Sequence, residues 1–264
     1  MLCAYMVAFQ LTYDGIESGC WLIGDMIMEH FCINKLPGHS VIHRGMMRLP
    51  MKYIRRLNKR VVRHFKKKRM IVILDASGFQ VKTSSGWYGI RMKRMNKLKD
   101  YDKLHIVIAA WRGAILDFQI TGSRTHDSTK LKALLRDINE KLRVLGDTGY
   151  LSRKNCKIVM SNGGKPFFAL KKNTMVEESD PDVWKAMVAF ALENTEEWEN
   201  IYHLRSYVEA IFSAVKRRFG EKLTAIKKRI HRKQLALKVL AYNIKQVMYD
   251  KKAVALGVPY WIEC

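Results

Sequence analysis

The chain has 264 residues, long enough for one large domain or two smaller ones with a real core and no covalent staples. Apolar residues make up 48%, which excludes a disordered chain. Lys and Arg number 48 against 24 Asp and Glu, a net charge of +24, and that self-repulsion calls for a polyanionic partner. Nucleic acid is the leading class and an anionic membrane surface the second. Cys3, Cys20, Cys32, Cys156 and Cys264 are an odd number with no Cys-x-x-Cys spacing. They exclude a secreted disulfide framework and a cysteine zinc site, and are expected to be reduced. No apolar run approaches the length of a membrane span, and the N-terminus has no signal-peptide pattern. A cytoplasmic, nucleoid-associated protein is expected.

In chain order, residues 1–36 are apolar with weak helical periodicity, broken at Pro37-Gly38. His39–Leu49 reads as a short helix, and Pro50 starts another. From Lys52 to Arg69 there are ten Lys or Arg and no acid, with Val61, Val62 and Phe65 along an apolar edge. This predicts a basic amphipathic helix, in which Arg55, Arg56, Lys59, Arg60 and Arg63 are candidate DNA contacts. The texture changes at Met70. Met70–Leu74 is a β-branched run that predicts a buried strand ending at the turn Asp75–Gly78. Leu104–Ala110 and Ala114–Thr121 predict a hairpin around Trp111–Gly113. Ser128–Leu142 has helical spacing, with Asp127 or Ser128 as its N-cap. Arg143–Leu145 leads into Gly146-Asp147, a second strand ending at an acid. Lys157–Met160 and Pro166–Leu170 read as short strands. Residues 176–199 carry eight acids and one Lys, a connector with a helix around Trp184–Leu192. Glu199–Arg218 reads as one long helix, and Glu221–Tyr249 as a basic helical tail. This order predicts a mixed α/β sheet flanked by helices. Helical residues 1–69 precede an α/β domain 70–250 with the acidic connector 173–199 and a tail 251–264.

Three acids stand out. Asp75 and Asp147 each follow a hydrophobic strand and precede a glycine-containing turn, where side chains reach the rim of a sheet. Turn or helix capping is the structural alternative for each. On a helical wheel with Tyr202 at zero, Arg205, Glu209 and Lys216 fall within an arc of roughly 60°. Leu204, Val208, Ile211, Phe212, Val215 and Phe219 occupy the neighbouring buried stripe. Glu209 is thereby expected at the border of core and solvent, either as a metal ligand or as an i,i+4 partner of Arg205.

Tyr202, Arg205, Glu209 and Lys216 at this spacing resemble the Tyr-Arg-Glu-Lys signature of insertion-sequence DDE transposases. Glu209–Gly220 is similar to the family's Glu…Phe-Ser…Lys-Arg-x-Phe-Gly run. Leu74–Gly78, Lys103–His105, Thr125–Ser128 and Asp147–Tyr150 follow in the family's order, so that the resemblance covers about residues 37–246. It implies a ribonuclease-H-like core in which Asp75, Asp147 and Glu209 hold two Mg²⁺ ions, with Mn²⁺ as a substitute. Water would cut at the element end and the freed 3′-OH would attack target DNA. Arg205 and Lys216 would hold phosphates, and Tyr202 would stack on a base or pack. Asp127 is left adjacent to the site without a metal role, and His105 is expected to be structural. Pro37–Arg44, continuing to Asn58, resembles a helix-turn-helix. The family also implies element ends and target DNA as partners and a homodimer assembled on DNA. Relative to the family the chain is expected to be short at its N-terminus. A two-metal nuclease without joining activity, or an inactive transposase-derived DNA-binding protein, are the alternatives; the absence of a Glu-x-Lys tripeptide disfavours the restriction-type nuclease core.

Overall fold

A computed structural model describes residues 2–65, 69–81, 101–138, 141–225 and 227–258. Lys66–Lys68 of the basic run, residues 82–100 and residues 259–264 with Cys264 lie outside the described residues. Five helices come first: α1 (Leu2–Ala8), α2 (Tyr13–Leu22), α3 (Gly24–Phe31), α4 (His39–Arg48) and α5 (Met51–Val62). The sheet strands are β1 (Arg69–Val81), β2 (Tyr101–Ala109), β3 (Ile115–Gly122), β4 (Lys141–Gly146), β5 (Lys165–Phe168) and β6 (Lys222–Leu223). Between and after them lie α6 (Leu131–Leu135), α7 (Arg153–Ser161), α8 (Asp182–Glu193), α9 (Thr195–Tyr202), α10 (Ser206–Phe219) and α11 (Lys228–Leu256). Among the described residues no helix is long and apolar enough to cross a membrane.

The sheet has six strands in the order β3-β2-β1-β4-β5, with β6 paired to β1. β1, β2 and β3 are antiparallel neighbours, whereas β4 runs parallel to β1 and β5 parallel to β4. The predicted hairpin is present, closed by a 3₁₀ turn at Trp111–Gly113 in which Arg112 takes a left-handed φ of 62°. Val72, Leu74, Leu104, Ile106, Ile108 and Val144 are fully buried, so helices must cover the sheet.

The helices of residues 2–62 share one hydrophobic cluster with the sheet and with α11. α5 shows how they dock. Ile54, Asn58 and Val62, spaced four apart, are its buried stripe. Asn243 of α11 accepts from the Ile115 N–H at 2.9 Å and donates to Asn58 Oδ1 at 2.7 Å. Three elements meet at this buried amide pair. Lys233 Nζ donates to the carbonyls of Met46 and Met47 at 2.9 and 2.7 Å, satisfying groups in the last turn of α4.

Several expectations fail locally, among them the helical tail over Glu221–Tyr249, where Lys222–Leu223 is strand β6 and helix α11 starts only at Lys228. The strand at Met70 does not stop at Asp75 but runs to Val81. Ser77, Gly78 and Phe79 pair with Leu104, Lys103 and Asp102, and Gln80 with Lys222 of β6. Long-range pairing overrides the turn chemistry of Asp-Ala-Ser-Gly, and Gly78 fits because a Cβ there would meet the Tyr101 ring at 2.9 Å. The helix expected over Ser128–Leu142 is a 3₁₀ turn, Asp127–Lys130, followed by the five-residue α6. Leu142 belongs instead to β4, paired with Met70. Lys157–Met160 is helical in α7, because Ser152 caps that helix by accepting from the Asn155 N–H at 3.1 Å. Finally, the helix expected over Glu199–Arg218 is two helices, α9 and α10, joined by a 3₁₀ turn at His203–Arg205.

Candidate active site

Asp75 lies mid-strand in β1 and Asp147 just beyond the end of β4. The parallel register Ile73↔Leu145 carries both chains toward the same rim, so two further residues along each strand bring the acids side by side. Neighbouring strands are about 5 Å apart. Each acid is fixed by one oxygen. Asp75 Oδ1 accepts from the Ala76 N–H at 2.8 Å, and Asp147 Oδ1 accepts from the Gly149 N–H at 3.0 Å. A Cβ at Gly149 would sit 3.0 Å from that same oxygen, so a side chain there would press on the carboxylate.

Glu209 arrives from the helix side. The buried stripe of α10 is Val208, Ile211, Phe212, Val215 and Phe219, as the wheel predicts. The Glu209 side chain is 64% exposed at the edge of that stripe. It lines an open cavity of about 380 Å³ together with Asp75, Ser77, Ser213, Lys216 and Arg217. Arg205 stands between the two acids, Nη2 at 4.0 Å from Asp75 Oδ2 and Nη1 at 3.5 Å from Glu209 Oε1. Arg205 ends the 3₁₀ turn before α10 and is both the i,i+4 partner of Glu209 and a neighbour of the strand acid.

Burial pushes the Asp75 carboxyl up to about 6, against the pull of the Ala76 N–H and Arg205, and the charges of Asp147 and Asp127 push it further. The site therefore concentrates negative charge that Arg205 offsets only in part. Burial likewise raises the Tyr202 phenol, with Asp147, Asp75 and Glu209 all within electrostatic reach. Lys216 lies over the Phe79 ring at 5.4 Å and pairs with Glu221 at 3.5 Å. The four signature residues thus lie around one rim, although a 3₁₀ turn separates Tyr202 from the helix of Glu209.

Asp127 does not cap a helix, and neither does Ser128. His126 holds the cap position without a side-chain bond, and Asp127 instead pairs with Lys103 at 2.7 Å, its Oδ1 lying 3.3 Å from His105 Nδ1. The competing cation on β2 wins over the free N–H groups. His105 is fully buried, its Nε2 2.8 Å from Thr121 Oγ1, and burial pushes its pKa down to about 4, so the ring is neutral at pH 7. The pairing of Lys103 with Asp127 escapes sequence reasoning, because only the β2–β3 hairpin brings them together. Ser213 and Arg217 line the cavity only because α10 packs against β1, a contact no local pattern contains.

The basic helix divides into two rows. Arg55 donates to Gln119 Oε1 at 3.1 Å and lies over the Phe118 ring at 5.0 Å, and Lys59 pairs with Asp137 at 2.5 Å. Arg56, Arg60 and Arg63 face outward. Among the described residues, Asp14, Glu17 and His39 have ligand atoms all within 4.8 Å of one another. Glu17 there accepts from the His39 N–H at 2.9 Å and so closes the start of α4; the group shares no residue with the cavity at Asp75.

The strand order, the antiparallel β1–β3 meander followed by parallel β4 and β5, and acids at the rim beside a helix acid define a ribonuclease-H-like α/β fold. Residues 66–244 match the family of transposase DDE domains, and the chain belongs to that family. No curated protein matches it. Among solved structures, it is similar to a piggyBac transposase in a synaptic complex with hairpin DNA, at 10% identity and a TM-score of 0.46. That match covers 73% of this chain and 49% of the other. A simian T-cell lymphotropic virus intasome in complex with the PP2A regulatory subunit B56 gamma matches at 11% identity and a TM-score of 0.34, covering 64% and 46%. A pre-cleavage Mos1 transpososome matches at 11% identity and a TM-score of 0.33, covering 89% and 74%. The chain spans about half the length of the first two.

Proposed function

We propose that this protein cleaves DNA strands at the ends of a mobile element and joins them to target DNA, with Asp75, Asp147 and Glu209 as the carboxylates that hold two Mg²⁺ ions. The observation that carries this reading is the placement of Asp75 and Glu209 on one open cavity with Arg205 between them, while Asp147 stands near Asp75 just past the end of the neighbouring parallel strand. The donors are all carboxylate oxygens, which suit a hard divalent cation and leave room for water ligands. The raised carboxyl of Asp75 also fits, because a cation would relieve the crowding of negative charge that burial makes costly.

When bound, two such ions polarise the scissile phosphate and stabilise both the attacking and the leaving oxygen of an in-line displacement. The chain's own residues do the rest. The Ala76 and Gly149 N–H groups hold Asp75 and Asp147 in fixed orientation. Arg205 and Lys216, on the cavity rim, bind non-reacting phosphate oxygens, and Arg205 would turn from the acids toward DNA once cations neutralise them. Tyr202 packs at the rim or stacks on a base. The outward row Arg56, Arg60 and Arg63 adds sequence-independent affinity, and residues 1–69 serve as the DNA-binding region in front of the catalytic domain. Two copies assembled on DNA would hold two element ends.

The test is Mg²⁺-dependent nicking and strand transfer with a labelled element-end duplex. Nicking without joining would reduce the reading to a two-metal nuclease. DNA binding with neither would leave an inactive, transposase-derived DNA-binding protein.

A further inference from the structure

α7 begins six residues after Asp147 and is tied to it. The Tyr150 N–H donates to the Asp147 carbonyl at 3.0 Å, and Asn155 Nδ2 donates to the Tyr150 carbonyl at 2.8 Å. The positive end of a helix dipole favours acids, yet the first turn of α7 contains none. Arg153 and Lys154 occupy it, and Lys157 follows one turn on. Arg153 is engaged, donating from Nη2 to Asp180 Oδ2 at 3.0 Å. Lys154, Lys157 and Lys171 are exposed, and no ion pair holds them among the described residues. Uncompensated cations at the positive end of a helix repel both the dipole and one another unless an anion sits there.

Two cavities mark the place. One, of about 490 Å³, lies on the outer face of α7 and is lined by Lys154 and Lys157. The other, of about 600 Å³, lies between the start of α7 and the loop after β5, and is lined by Lys154, Lys171, Asn173 and Thr174. Arg153 and Lys154 border both. Residues three apart on a helix have Cβ atoms about 5–6 Å apart, the scale of neighbouring phosphates along a strand. A single free phosphate would fill only part of either cavity.

We infer that Lys154, Lys157 and Lys171 hold consecutive phosphates of the DNA strand that leads away from the reacting phosphodiester. This deepens the proposed function and rests on it for the identity of the anion.

The test uses the full chain and a fluorescein-labelled, mixed-sequence duplex in EDTA, titrated by anisotropy across a salt series. The triple variant Lys154→Gln, Lys157→Gln, Lys171→Gln should lower the slope of log K against log salt by about 2–3. The control triple Lys227→Gln, Lys251→Gln, Lys252→Gln, on α11 and the residue before it, should keep the wild-type slope. Arg at the three patch positions should restore it, which separates lost charge from lost folding. Equal slopes for the patch and control triples would overturn the inference. Nicking by the wild type in Mg²⁺ separates this outcome from failure of the functional reading. If the wild type nicks and the patch triple keeps its slope, the patch alone is wrong. If the wild type neither nicks nor joins but the patch triple loses slope, the patch stands as a DNA surface and the transposition reading falls. A wild type that binds no duplex overturns both.

Discussion

Asp75 and Asp147 are held in the same way: each accepts a backbone N–H from within two residues through one carboxylate oxygen. Asp75 lies in β1 and Asp147 one residue past the end of the neighbouring parallel β4, and the register Ile73↔Leu145 brings the two chains level. Such anchoring fixes the orientation of each carboxylate through the backbone.

Glu209→Gln should separate chemistry from binding. The change keeps the α10 packing, because the side chain is exposed. Nicking of an element-end duplex in Mg²⁺ should fall by orders of magnitude, while a gel shift in Ca²⁺ stays close to wild type. Near-wild-type nicking would leave Glu209 as a plain partner of Arg205, an interaction of well under about 1 kcal/mol at this exposure.

Asp75→Asn should stabilise the metal-free protein at neutral pH. The carboxyl titrates at about 6 in the fold against 3.8 as its ordinary value, so the folded state binds more protons between those limits. Stability therefore falls as pH rises from about 4 to 6 and stays lower above that, by at most about 3 kcal/mol. Thermal melts in EDTA should show the Asn variant ahead of wild type at pH 7.5 and level with it near pH 4. Mg²⁺ should raise the melting temperature of wild type and not of the variant. A variant less stable than wild type at neutral pH would contradict the electrostatic account.

Lys238 gives an opposite trend at alkaline pH. It is buried, donates to the Gly220 and Lys222 carbonyls, and has its pKa lowered to about 8 by burial. The unfolded chain binds more protons between about pH 8 and 10.5, so this residue adds stability as pH rises through that window. Urea melts of wild type and Lys238→Met should diverge in favour of wild type across it. Parallel pH profiles would show that Lys238 is not desolvated.

Asn243→Leu should cost about 2–4 kcal/mol, since it strands the Ile115 N–H and Asn58 Oδ1 in the interior. Chemical denaturation reads the loss directly. A change below about 1 kcal/mol would mean that water reaches the α5–β3–α11 junction.

The two rows of α5 should behave differently. Arg56→Gln with Arg60→Gln should flatten the salt dependence of DNA binding by about 2. Arg55→Gln with Lys59→Gln should change the melting temperature more than the slope, because those side chains already bind Gln119 and Asp137. Equal slopes from both pairs would remove this helix from the DNA surface.

The sequence by itself determined the elements whose pattern is local. The apolar stripe of α10 fixed its buried face, and the β-branched runs at Met70 and Leu104 fixed the central strands. The spacing of Tyr202, Arg205, Glu209 and Lys216 carried the family resemblance without any knowledge of contacts. Tertiary structure decided what depends on distant partners. Asp-Ala-Ser-Gly at 75–78 has turn chemistry, but β2 and β6 supply backbone partners that keep it extended. Lys157–Met160 has strand-like residues, but the Ser152 cap and the burial of Cys156 and Val159 make it helical. The 3₁₀ turn at His203–Arg205 cannot be read from periodicity, and Arg205 at its end stands between Asp75 and Glu209. Proximity of the acids follows from strand register, a property of two segments more than sixty residues apart, and no local pattern contains it.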